Sequence, residues 1–256
     1  MRYLFDSHCH LDDSAFDADR DAVIAELADK MAGILWCGTD LASSAMALSH
    51  AKKHGFIRCA CGFYPHQTDG LSGHETELEA MLNNKECRAV GEIGLDYHYE
   101  GISPEAQKRA LALQLEMAKK HDLPVILHER DALCDMLDIL KAHKVQNGVI
   151  HCFSGSKETA KQYLDMGLHI SFTGLLTFKS ARLAPEAAAY VPKDRIMIET
   201  DSPYMTPVPF RGERNTPARV ALVAARLGEI WNMDAEEAAY ITYQNAIRFF
   251  KLENEV

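Results

Sequence analysis

Apolar, β-branched runs alternate with amphipathic stretches along the whole chain. The runs at 3–6, 33–37, 57–62, 88–91, 124–127, 148–150, 169–172 and 197–200 read as strands. The stretches at 17–31, 43–53, 75–83, 104–121, 132–143, 157–166, 183–191 and 217–231 read as helices, and a last helix over 234–250 closes the chain. Punctuation supports several boundaries. Ser103-Pro104-Glu105 predicts an N-cap followed by proline at the first helical position. Ser156 and Asp234 also open helices, the latter with capping-box spacing to Glu237. Gly55 and Gly167 fall where left-handed C-caps are common.

Regular strand–helix alternation implies a parallel sheet. Eight such units in 256 residues favour a closed (β/α)8 TIM barrel with an extra C-terminal helix over an open doubly wound sheet. No GxGxxG or GxxxxGK[ST] loop supports a nucleotide-binding sheet. No Pro/Gly/Ser-rich linker interrupts the pattern, so residues 1–256 are expected to form one domain.

The candidate chemistry sits where strands stop. His8-Cys9-His10 follows the first apolar run, and i and i+2 in an extended segment face the same side, so His8 and His10 can serve one metal. Glu92, His128, His151 and Asp201 follow later runs, at the ends of strands four, five, six and eight. A barrel gathers those ends at one mouth; an open sheet would separate the first from the last. A lone histidine near a strand end is more often a satisfied polar residue than a ligand, and seven of the twelve histidines fit that reading. His8, His10, His128 and His151 differ by their position directly after apolar runs. Buried carboxylates are costly without a partner, and a metal compensates for Glu92 and Asp201 together. Four imidazoles and two carboxylates exceed one tetrahedral ion and suit two divalent ions about 3.5–4 Å apart. Nitrogen and oxygen ligands admit Mg, Mn, Zn, Ni or Co.

Composition changes the picture in three ways. The chain is 47% apolar and 25% charged, with no run near the ~20 apolar residues of a membrane span. A charge comes too early for a signal peptide, so a cytoplasmic protein without membrane partners is expected. Seven cysteines without a disulfide framework read as mostly buried free thiols, although Cys59-Ala60-Cys61 could hold a soft metal. Net charge is −10, without a Lys/Arg tract, which argues against a tight grip on duplex DNA. Any nucleic-acid contact must be local. His66, after the third strand, Arg130, and Arg211, Arg214 and Asn215 in the proline-stiffened loop after the eighth supply anion-binding groups. A surface turn with two solvated arginines is the plain alternative for that loop.

Several blocks carry a resemblance: residues 5–12 (Phe-Asp-Ser-His-Cys-His-Leu-Asp), 62–66 (Gly-Phe-Tyr-Pro-His), 91–97 (Gly-Glu-Ile-Gly-Leu-Asp-Tyr), 124–132, 151–155 (His-Cys-Phe-Ser-Gly), 198–204 and 211–217. In this order the chain resembles the TatD family of metal-dependent deoxyribonucleases, within the amidohydrolase superfamily, from about residue 5 to about residue 250. The resemblance implies that His8, His10 and Asp201 hold one metal, that Glu92 bridges, and that Glu92, His128 and His151 hold the second. It implies that His66 and Arg130 approach a phosphate and that Asp201 serves as general base or acid. Glu129 departs from the Thr or Ser that relatives often carry there; its effect is expected to be confined to substrate contacts.

The leading expectation is therefore a hydrolase of DNA phosphodiester bonds, a 3′-5′ exonuclease on single-stranded ends, acting by attack of a metal-bound hydroxide. DNA is the expected partner; no obligate protein partner is evident. The alternative is an amidohydrolase-type enzyme on a small amide or ester, which suits the acidic surface but leaves His66, Arg130 and Arg211 without a purpose. A non-catalytic metal scaffold fits an intact ligand set poorly.

Overall fold

The computed structural model describes residues 1–253, so 254–256 of the expected domain lie outside the described residues. The strands are β1 (Phe5–Cys9), β2 (Gly33–Cys37), β3 (Ile57–Cys61), β4 (Cys87–Asp96), β5 (Val125–Arg130), β6 (Gly148–Ile150), β7 (His169–Phe172) and β8 (Ile196–Ile198). They stand in chain order in one sheet, the order of a (β/α)8 TIM barrel. Between them run α1 (Arg20–Ala28), α2 (Leu41–Ala51), α3 (Glu75–Leu82), α4 (Pro104–Lys120), α5 (Leu133–Ala142), α6 (Lys157–Asp165) and α7 (Leu183–Tyr190). The eighth helix, α8 (Val220–Trp231), is followed by the additional C-terminal helix α9 (Ala235–Phe249).

The chain divides into two compact units. The first contains residues 1–36, 152–164 and those from His169 onward. Its strands β1 and β8 are buried along their whole length, as expected of parallel strands covered on both faces. α9 closes this unit from outside: Phe250, just past its end, stacks on Phe5 with ring centroids 5.9 Å apart. Asn245 Nδ2 donates to the carbonyls of Lys193 and Ile196, both at 2.7 Å, and so fixes the entry to β8. Each large side chain buried this way contributes about 1.5–3 kcal/mol. The second unit, 37–151 with 165–168, carries β3 to β6 and the helices α2 to α5.

Boundaries differ from the sequence expectation where polar residues continue a ladder. β1 begins later than expected and runs through His8, because Asp201 N donates to His8 O at 2.9 Å and His10 N to Ser202 O at 2.8 Å. β4 runs on past Gly91 to Asp96, pairing Gly94 with His128 and Asp96 with Arg130 of β5. Ser103 and Ser156 cap as expected, accepting from the N–H groups of Ala106 and Thr159. Asp234 occupies the N-cap position, but its side chain makes no capping bond. Gly167 has φ +89°, whereas Gly55 does not enter the left-handed region.

Gly94 is dictated by close approach. Its φ is +150°, and a Cβ there would lie 2.0 Å from the His128 carbonyl oxygen. Gly94→Ala is expected to destabilise the fold by about 2–4 kcal/mol, read from denaturant unfolding.

His169 opens β7 edge-on to Phe249, with centroids 4.9 Å apart. Burial, then the charge of Arg195, lowers its imidazole from 6.5 to about 4, against the opposing Asp194. The unfolded chain therefore binds the extra proton first as pH falls. Stability from this residue is complete above 6.5 and is lost through the window down to about 4. It is worth at most about 3 kcal/mol. His169→Gln is expected to flatten the acid limb of a stability–pH profile; an unchanged slope between those values would remove His169 as its source.

Candidate metal centre

In the first unit the side chains of His8 and His10 emerge from the end of β1 on one side, as alternation demands. Their Nε2 atoms lie 2.9 Å apart. Asp201 Oδ1 lies 3.8 Å from His8 Nε2 and 3.5 Å from His10 Nε2. Asp201 takes φ 53°, a left-handed conformation that aspartate tolerates better than most residues, with its N–H anchored to the His8 carbonyl. Behind this group lies Asp6, with no exposed surface. Its Oδ1 accepts from the N–H groups of His8 at 3.2 Å and Thr200 at 2.8 Å, and its Oδ2 accepts from Thr200 Oγ1 at 2.5 Å. Burial pushes the Asp6 carboxyl well above its usual range although these hydrogen bonds oppose it. Glu199, also buried, accepts the N–H of Cys152 at 2.6 Å and fixes the residue that follows His151 in the chain.

In the second unit Glu92, His128 and His151 converge from β4, β5 and the residue after β6. Glu92 Oε1 lies 2.9 Å from His128 Nδ1 and 2.8 Å from His151 Nε2, and those two nitrogens are 3.1 Å apart. Bonds of about 2.0–2.2 Å to one cation at near-right angles subtend ligand separations of about 3 Å. The triangle therefore has the size a divalent ion requires. The far nitrogen of His128, Nε2, meets Asp96 Oδ2 at 3.3 Å, and Tyr64 Oη donates to the same oxygen at 2.8 Å. A carboxylate on the non-ligating nitrogen fixes tautomer and ring orientation, the usual support of a metal-bound histidine.

The electrostatics agree with that role. Burial works to raise the Asp96 carboxyl, but hydrogen bonds from His128, Tyr64 and the His98 N–H outweigh it and hold it below the usual range. Burial works to lower His128, yet its bonds to Asp96 and Glu92 raise it above the ordinary imidazole value. Surroundings that stabilise a proton on this ring stabilise a cation beside it. Burial and then the charge of Glu92 push the Tyr64 phenol upward, so it stays a donor.

The remaining expected site residues fall into two groups. His66 sits in the short 3-10 helix Pro65–Gly70, with Nε2 3.8 Å from Asp96 Oδ1, buried and without a hydrogen-bond partner. Arg130 ends β5, exposed, its guanidinium 4.9 Å from the Tyr99 ring centroid and its Nη1 donating to Tyr99 Oη at 3.2 Å. The same Tyr99 ring meets His66 edge-on at 6.0 Å, so His66, Tyr99 and Arg130 form one patch. Arg211 is exposed and lies 4.2 Å from the centre of the Phe178 ring. Arg214 instead makes a two-pronged ion pair with Asp19, both contacts 2.7 Å, over the Phe16 ring. Asn215 has no exposed surface; its Nδ2 donates to the carbonyls of Thr200 at 3.0 Å and Tyr204 at 2.7 Å. These two residues shape the loop that follows Asp201. Glu129 accepts the N–H of Ala132 at 2.9 Å and supports the start of α5.

Asp6, Tyr64, Asp96, Tyr99 and Glu199 carried no individual role in the sequence reading. Asp96 had a usable signal: in an extended strand it falls on the same side as Glu92, four residues earlier. Tyr99 had none, since only the turn after β4 brings it back over His66.

A parallel barrel carrying clusters of imidazole and carboxylate suited to divalent cations defines a metal-dependent hydrolase. A family model described as TatD related DNase matches residues 5–251, and the chain belongs to that family. The uncharacterized metal-dependent hydrolase YabD of Bacillus subtilis is 38% identical over 255 residues, covering 97% of this chain and 99% of the relative. The uncharacterized metal-dependent hydrolase YcfH of Escherichia coli is 36% identical over 261 residues, covering 98% and 97%. The crystal structure of YJJV, a TatD homolog from Escherichia coli, superposes with a TM-score of 0.91 at 31% identity, covering 98% of both chains.

Asp96→Asn keeps the backbone bonds between Asp96 and Gln107 while weakening the acceptor on His128. We expect a fall in divalent-metal affinity of about 10–100-fold with unchanged circular dichroism, measured by calorimetric titration. Unchanged affinity would mean that His128 is oriented by other contacts.

Proposed function

We propose that the protein cleaves phosphodiester bonds of DNA, removing nucleotides from the 3′ end of single strands, as a single barrel domain in the cytoplasm. The observation that carries this reading is the pairing of a cation-sized ligand triangle, Glu92–His128–His151, with the adjoining anion-seeking patch of His66 and Arg130. In this reading His8, His10 and Asp201 would hold one divalent ion, and Glu92, His128 and His151 would hold the other. The membership in a family described as TatD related DNase supports the substrate class. Buried free thiols at Cys9, Cys37, Cys59, Cys61 and Cys87 suit a reducing compartment. Among the described residues no helix is long and apolar enough to cross a membrane.

When bound, divalent ions supply a water of lowered pKa and positive charge opposite the phosphate. The chain's own groups do the rest. Asp201 takes the proton of the attacking water on its carboxylate and delivers it to the departing 3′ oxygen, as a new P–O bond forms and the old one breaks. His66 Nε2, which makes no hydrogen bond within the chain, donates to a phosphate oxygen. Arg130 offers the exposed part of its planar fork to the same group. Tyr99 holds the Arg130 guanidinium in place, and its own exposed ring suits stacking against a base. Arg211 is an exposed cation available to the strand, whereas Arg214 and Asn215 act by shaping the loop behind Asp201.

A second reading, hydrolysis of a small amide or ester, is favoured by one observation: the net charge of −10 gives no general attraction for a polyanion.

The test uses a 5′-labelled single-stranded oligonucleotide with the metal-loaded protein, an Asp201→Asn variant and a His66→Ala variant. A metal-dependent ladder shortening from the 3′ end is expected. Loss of a transition-state proton carrier costs about 10²–10⁴-fold in rate for Asp201→Asn. An intact oligonucleotide at full metal occupancy would overturn the nuclease reading and bring the small-molecule reading forward.

A further inference from the structure

A second cluster of metal-binding atoms lies in the second unit and uses none of the residues above. Cys59 and Cys61 occupy β3 two residues apart and so share a face of the strand. Cys87 opens β4, with its Cα paired in register to that of Cys59. The three Sγ atoms lie within 4.8 Å of one another, and the residues are 0%, 0% and 2% exposed. Cys61 Sγ approaches the Ser44 carbonyl at 4.0 Å, which places the cluster between the strands and α2. Cys59 Sγ and Cys87 Sγ point to the carbonyls of Glu86 and Ala89 at 3.5 and 3.4 Å.

A buried free cysteine alone is a small apolar residue. Three whose sulfurs meet are a preformed ligand set. We propose that Cys59, Cys61 and Cys87 form a separate thiolate site for a soft, low-coordinate cation, of which copper(I) is the type. Three sulfurs at about 2.3 Å around one ion in a plane are separated by about 4 Å, within reach of a small contraction of the cluster. Among the described residues the cluster groups three thiols with no imidazole or carboxylate. Structural zinc takes four ligands, whereas soft thiolates without a fourth donor select copper(I). Each sulfur–metal bond forms as an S–H bond breaks, the proton leaving to solvent, with no change of oxidation state.

The hydrolytic centre binds through nitrogen and oxygen, so the sulfur signature separates the two sites. The metal-loaded protein would be titrated anaerobically with copper(I) against a chromogenic copper(I) chelator. Retained copper would be examined by X-ray absorption and by its ultraviolet sulfur-to-copper charge-transfer band. The expected result is stoichiometric copper in a shell of three sulfurs, reduced to background in Cys87→Ser and kept in Cys134→Ser, whose thiol is exposed. Because Cys87→Ser places a hydroxyl in the core, Cys59→Ala serves as a second variant, expected to fold and to lose the copper. Copper surrendered wholly to the chelator, a shell of nitrogen and oxygen alone, or retention in both cluster variants would each overturn the site.

Discussion

The fully buried carboxyl of Asp6 is the contact on which the arrangement of His8, His10 and Asp201 depends. It lies in the middle of β1, two residues before His8, and receives the His8 N–H together with the N–H and hydroxyl of Thr200. Leaving such a group unpaired in an apolar core would cost several kcal/mol. With its partners supplied, the same group ties the residue before Asp201 to the strand that carries His8 and His10. The backbone bonds from Asp201 N to His8 O and from His10 N to Ser202 O complete the tie. The ligand spacing of 2.9 to 3.8 Å is thus set by a polar frame beneath it rather than by the ligands themselves. Removing the Asp6 carboxyl would take the acceptor from three donors at once, the N–H groups of His8 and Thr200 and the Thr200 hydroxyl.

The second ligand set rests on a different device with the same logic. Gly94 lets β4 approach β5 more closely than any side chain would allow, which brings Glu92 and Asp96 to opposite nitrogens of His128. One carboxylate faces the ligand triangle, and the other holds the ring from behind. Both carboxylates raise the His128 imidazole above its ordinary value, so the geometry and the electrostatics both suit a cation there. A neutral hydrogen-bonded network could satisfy these groups, but it would not require two nitrogens and a carboxylate oxygen at mutual distances of about 3 Å, the separation of ligands on one ion.

The repeating pattern that specifies the barrel was legible because parallel strands buried on both faces read as short apolar runs, and helices between them read as amphipathic stretches. β6 and β7 matched the expected residues because glycine and histidine interrupt the apolar run at their edges. β1, β4 and β5 were read too short or too early for one reason: their C-terminal halves carry the polar ligands, and a hydropathy pattern stops at the first polar residue while the hydrogen-bond ladder continues. The candidate ligand residues stood out as polar interruptions at those points, and the resemblance implied roles for them. The supports were not. Asp6, Asp96 and Glu199 look like ordinary acidic residues until long-range pairing brings their partners to them. Arg214 carries a charge that suits a phosphate, but Asp19, nearly two hundred residues away in the chain, satisfies its fork.

The acidic balance of the chain bears directly on how a polyanion could be bound. With a net charge of −10, long-range attraction is unfavourable, and screening at physiological salt confines any favourable field to about 8 Å. For the proposed substrate, positive charge must therefore sit where the phosphate sits. Arg130 provides one such group, in one patch with His66, and divalent ions on the imidazole–carboxylate sets would add more than the side chain does. A strand bound as proposed would gain little from phosphate contacts beyond that reach, so stacking on an aromatic such as Tyr99 would become the larger source of affinity. Stacking needs unpaired bases, which a duplex does not offer. In the proposed reading, the charge distribution and the exposed ring thus suit the same substrate, a short unpaired end, better than the long duplex that a basic groove would hold.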